Sequence, residues 1–249
     1  LFIQNKKYSI STEDKLIYAR TDRLSNSYQS FVDNYCGGNK QIILSSLKEY
    51  AELFRNTFQP DICDTTIPPT FGIERLNVVI FGLKTTTLIP YILYLAKNIS
   101  NPIILNEMYG ILESYVMRRI VTHATSKNYN NLFLSLIANE ILDTTSLRTR
   151  LQAVSGTNSY VPTDAELQDG FYHSKLLNLH SKGILYLIES HIRPAQSAVV
   201  LHGFNGYSLE HLMPKKWRNN WPACPTPLDA EKRDSILLTL GNLAIIPQA

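Results

Sequence analysis

The chain has 249 residues, of which 44% are hydrophobic and 18% charged, a balance that fits globular packing and excludes intrinsic disorder. A formal net charge of +3 permits a nucleic-acid partner without arguing for one. Three cysteines without CxxC spacing (Cys36, Cys63, Cys224) exclude a disulfide framework and a thiolate zinc site and point to a reducing, cytoplasmic compartment. The longest apolar run, residues 88–96, is far below the roughly 20 residues of a membrane-spanning helix, so no membrane partner is expected.

The opening residue is Leu1, and the last residues, LAIIPQA, follow a strand-like run, so the chain reads as a fragment of a longer protein. Residues 1–40 read as an irregular linker ending in the turn Cys36-Gly37-Gly38-Asn39. From 41 to 195 the pattern is helical throughout. Ile43, Leu47, Tyr50, Leu53 and Phe54 recur at three- and four-residue steps, as one helical face requires. Residues 61–69 form a loop stopped by Pro68-Pro69, and Leu76, Val79, Ile80 and Leu83 make the next face. Thr87 is placed to cap a helix carrying Pro90 in its first turn.

Asn101-Pro102 opens a helix with proline at its first position, its core face running through Met108, Ile111, Leu112, Tyr115, Val116 and Ile120. Leu132, Phe133, Leu136, Ile137 and Ile141 mark another. Thr163 and Glu166 have capping-box spacing, which predicts a helix from Asp164. The last body helix covers residues 183–191 and stops at Pro194.

After residue 195 the texture changes. Val199, Val200 and Leu201 read as strand, residues 202–207 as a glycine-rich turn, and 208–213 as strand again. Pro214, Pro222, Pro225 and Pro227 mark a long loop before a strand over residues 239–246.

The chemistry lies in YSLEHLMPKKWRNNW (residues 207–221) and LLTLGNLAII (237–246). Glu210 and His211 are neighbours, and neighbours in a strand point to opposite faces. They share a site only if the strand ends or bends there, which Pro214 favours. Histidine suits water activation near neutral pH, its ordinary pKa being about 6.5. A carboxylate suits a hard divalent cation.

The pairing of EH-x-x-P with a downstream LGNL strand resembles the His-Me finger (HNH-like) nuclease domain of GmrSD-type proteins, which are type IV, modification-dependent restriction enzymes. LESYVMRRIV (112–121), VPTDAEL (161–167) and ILYLIE (184–189) are similar to helical motifs of the same family, in the same order. The resemblance covers roughly residue 40 to the end. It implies a mainly α protein: a helical bundle-like body over 41–195, then an incomplete ββα domain over 196–249.

The resemblance also implies site roles. His211 matches the general base, and together with Glu210 it forms the metal side. Asn242 matches the asparagine that braces the histidine loop, with Gly241 allowing a tight backbone approach. The final metal-binding position would lie beyond Ala249. The implied cofactor is Mg²⁺ or Mn²⁺, and the implied partner is DNA, including modified phage DNA. A nucleotide would act only through a separate N-terminal domain, since no GxxxxGK[ST] loop occurs here. A homo-oligomer is open.

Lys215, Lys216 and Arg218 are candidate phosphate contacts, with a solvated basic loop as the plain alternative. Trp217 and Trp221 fit hydrophobic anchors better than base-stacking platforms. Arg118 and Arg119 point about 100° apart on a helix, so one of them is expected to pair with an acid between body and nuclease. The other histidines show no metal-ligand spacing; His202 is nearest the site. The rival reading is a non-catalytic DNA-binding or regulatory module, in which the nuclease site is incomplete or degenerate.

Overall fold

Helix starts carry much of the architecture. A computed structural model describes residues 9–18, 23–153, 159–194, 197 and 200–248, and these residues are mainly helical with a single two-stranded sheet. The helices are α1 (Thr12–Tyr18), α2 (Leu24–Tyr35), α3 (Lys40–Thr57), α4 (Ile73–Asn77), α5 (Ile89–Asn98), α6 (Pro102–Val121), α7 (Tyr129–Ala138), α8 (Thr144–Ala153), α9 (Asp164–His173) and α10 (Asn178–Ile192). After α10 come β1 (Tyr207–His211), α11 (Trp217–Asn220), α12 (Pro227–Ile236) and β2 (Leu243–Pro247). No helix among the described residues is long and apolar enough to cross a membrane.

The capping signals behave as the sequence predicts at two starts. Asn101 accepts from the Ile103 N–H with Pro102 in the first turn of α6, and Thr163 and Glu166 close a full capping box on α9. Thr87 does not cap. The chain makes a 3₁₀ turn over Thr86–Leu88 and runs straight into α5, leaving the buried Thr87 hydroxyl without a partner among the described residues.

Three expectations are corrected. The linker expected over residues 1–40 contains α1 and α2. Their apolar stripe is thin and interrupted by serines, so periodicity is faint; Ile10, Tyr18, Phe31, Val32, Cys36 and Ile43 nevertheless form a small core of their own. The proline-rich loop contains α11 and α12. Pro227 stands in the first turn of α12 and Thr226 caps it, but none of its residues is buried, so no hydrophobic pattern announces it. Val200 and Leu201 form no strand, and Val199 lies outside the described residues. The glycine turn at residues 36–39 does fit: Gly37 and Gly38 adopt φ of 55° and 74°.

The main core runs from Phe58 to Tyr207 and includes Leu76, Tyr91, Leu112, Phe133, Leu187, Leu201 and Phe204. Within it lies an ion pair that periodicity does not reveal. Arg75 on α4 grips both carboxylate oxygens of Glu113 on α6, and donates to the Ser190 hydroxyl (2.6 Å) and the Leu187 carbonyl (2.9 Å) on α10. Both side chains are only 2% exposed. Burial pushes the Glu113 carboxyl up, against the downward pull of Arg75. The pair therefore ties three helices together, and α10 is the one on which both strands pack.

Candidate active site at the β-hairpin

The hairpin starts where Gly203 presses onto the loop at residues 63–65. A Cβ at Gly203 would fall 2.4 Å from the Asp64 carbonyl carbon, so only glycine fits this approach. Thr66 donates to the Leu201 carbonyl (2.6 Å) and Asn205 to the Asp64 carboxylate (2.8 Å), fastening the segment before β1. Tyr207 then buries its ring beside Tyr186 and Phe204.

β1 and β2 pair antiparallel, with Tyr207 opposite Pro247, Leu209 opposite Ile245 and His211 opposite Leu243. The two-residue side-chain period puts these on one face, which packs towards α10, and puts Ser208, Glu210, Ala244 and Ile246 on the other. His211 is therefore half-buried at the end of the inner face, while Glu210 is exposed on the outer one. The strand ends at His211, as Pro214 favours, but the two side chains stay on opposite faces because both residues keep their places in the ladder. Desolvation holds the His211 imidazole below its ordinary pKa, Lys215 adds to this, and Glu210 opposes it. Carboxylate and imidazole thus lie within electrostatic range on opposite faces.

Asn242 stands just before β2, buried at 6% exposure. Its side-chain oxygen accepts from the Met213 N–H (2.7 Å). Its amide donates to the Met213 carbonyl (3.1 Å) and the Leu237 carbonyl (2.8 Å). The Asn242 carbonyl accepts from the Leu212 N–H (2.9 Å). The chain leaving His211 is therefore clamped at both peptide groups that flank the Met213 α-carbon. Asn242→Ala leaves those buried groups unpaired and should lower unfolding stability by about 2–4 kcal/mol, read by urea denaturation. Gly241 contributes differently from expectation: a Cβ there would meet open space, so no tight approach depends on it.

The basic residues diverge. Lys215 and Lys216 are exposed in the turn before α11. Arg218 is held by both oxygens of Asp234 on α12 (3.0 and 2.5 Å) and lies over the Trp217 ring, with Arg233 on the same ring. Trp217 is 2% exposed and donates to Asp234, so it is an anchor, whereas Trp221 is 43% exposed. His202 is exposed and touches Tyr207, at the far end of β1 from His211. Arg118 pairs with Asp164 on α9, within the body rather than across to the hairpin; Arg119 is fully buried among Tyr115, Tyr129 and Tyr160 and donates to the Tyr160 and Thr125 carbonyls.

Comparison of the chain with protein-family models, with curated proteins and with solved structures gave no match. The donor set for a metal is small. Among the described residues no group of three or more His, Cys, Asp or Glu side chains is arranged to hold an ion.

Proposed function

We propose that the chain carries the catalytic hairpin of a DNA endonuclease of the GmrSD restriction type, with His211 as the base that activates water. The observation that carries this reading is the clamp of Asn242 on the peptide units that follow His211. It fixes the loop beside a half-buried imidazole whose neutral form is favoured at pH 7. A neutral imidazole nitrogen at that place can take a proton from a water attacking a phosphodiester phosphorus. The exposed Lys215 and Lys216 can steady the phosphate beside it. DNA, including modified phage DNA, is the proposed substrate, acting in the cytoplasm, and a nucleotide-handling domain and self-assembly are proposed partners.

Mg²⁺ or Mn²⁺ is part of the reading. Glu210 and His211 by themselves do not fit a resident ion, being two donors on opposite strand faces, so no chemical step is assigned to it. That same arrangement favours a second reading, a hairpin that binds DNA without cutting it. Incubation of supercoiled plasmid with the protein, with and without Mg²⁺ or Mn²⁺, separates the two. Open-circular product that needs His211 supports the nuclease; DNA bound but left intact in either ion supports the second reading.

A further inference from the structure

A cationic feature lies away from the hairpin among the described residues. A cavity of about 690 Å³ opens between the end of α6 and the starts of α7 and α10. Lys84, Arg119, His123, Lys127, Lys175 and His180 all line it, and no carboxylate side chain does so among the described residues. Desolvation, together with the charge of His123, lowers the His180 pKa, so these two rings lie within electrostatic reach.

Two helix starts, those of α7 and α10, face the same space. The N-cap residues of α7 and α10 are Asn128 and Leu177, and neither start has a side-chain cap. Thr85, Tyr129 and Leu177 line the cavity. Elsewhere α3, α6, α9 and α12 are capped by their own Asn or Thr side chains, while α2, α4, α5 and α11 are not. The Tyr129 N–H is taken by the Ser126 carbonyl (3.0 Å), so the α7 and α10 starts attract anions through the remaining first-turn N–H groups and the positive ends of their dipoles. The buried Thr87 hydroxyl, which lacks a partner among the described residues, sits in the same wall.

Backbone strain falls at this place too. Lys84 (φ 59°) and His123 (φ 55°) are two of the three non-glycine residues with positive φ among the described ones. His123 follows the end of α6, where the Ala124 N–H bonds to the Arg119 carbonyl (2.8 Å) and the His123 N–H to that of Ile120 (3.2 Å). That is the Schellman ending, whose left-handed position glycine ordinarily takes. Lys84 likewise ends the π-helical turn Val78–Gly82. At both places a side chain able to carry positive charge stands where glycine would be less strained, and both side chains line one cavity.

We infer that this cavity is a binding site for phosphate groups, contacted by Lys84, His123 and Lys127 beside the uncapped starts of α7 and α10. The source is either a small free polyphosphate or the phosphates of a nucleic-acid strand. The inference is independent of the hairpin's role, so failure of the nicking assay leaves it standing.

Calorimetric titration with sodium tripolyphosphate, and separately with a short single-stranded oligonucleotide, tests it on the parent chain and on the double variant Lys84→Gly/His123→Gly. The parent should bind at least one of them, more weakly as salt rises. The double variant should bind at least about tenfold more weakly while its melting temperature stays level or rises, since glycine relieves both left-handed residues. Lys127→Gln, at an exposed position, should weaken binding without touching the strained backbone. Binding of tripolyphosphate assigns a small ligand, and binding of the oligonucleotide alone assigns a strand. No binding of either by the parent, or equal binding by the variants, overturns the inference, and so does a lowered melting temperature of the double variant.

Discussion

His211→Ala should lower the rate of plasmid nicking by about 10²–10⁴-fold, the usual loss when a positioned general base is removed. The fold has little reason to suffer. His211 is half-buried at the strand end, and the ladder bonds of β1 come from its backbone. Clamping of the following loop comes from Asn242, not from the imidazole. DNA affinity should also hold, since Lys215 and Lys216 stay in place. A variant that nicks as fast as the parent would mean that water is activated elsewhere.

The largest stability effect belongs to the buried ion pair. Glu113→Ala should cost about 3–5 kcal/mol, because it strands the Arg75 guanidinium in the core without a counter-charge. Arg75 would keep neutral partners, the Ser190 hydroxyl, the Leu187 carbonyl and the Phe71 ring. The loss should spread along α10 to the hairpin that packs on it, so hydrogen exchange of β1 and β2 amides should quicken together with that of α10. Replacing both partners, as Arg75→Met with Glu113→Leu, should cost less than Glu113→Ala alone, since no uncompensated charge is then buried. Urea unfolding of the three proteins measures this; a cost below about 1 kcal/mol for Glu113→Ala would place it in the range of an exposed pair.

Legibility from sequence followed from how local each signal is. Helix starts built from neighbouring residues, such as Asn101-Pro102 and Thr163 with Glu166, were readable because cap and first turn lie within four positions. The strand pair around residues 207–211 and 243–247 was readable from short apolar runs flanked by turn residues, with ends displaced by one to four positions. α12 was not, because it buries nothing and begins in a proline cluster. α8 was missed for a related reason: only Leu147 and Leu151 reach the core. Arg75 and Glu113 lie 38 positions apart, and no period connects them. Glu210 and His211 show the reverse case. The family resemblance put both at one metal side, yet the strand's alternation separates their faces. The cationic cavity draws its side chains from segments between residues 84 and 180, and only the fold assembles them.

The most direct measurement of the central claim is the pH–rate profile of plasmid nicking in the parent, Lys215→Gln and Glu210→Gln. With His211 as base, the rate should rise with pH to a plateau, its midpoint below the ordinary imidazole value of about 6.5. Loss of the Lys215 charge should move the midpoint up, and loss of the Glu210 charge should move it down, following the opposed effects of these neighbours on His211. A profile with no rising limb, or a midpoint that neither substitution moves, contradicts the assignment of His211 as the base.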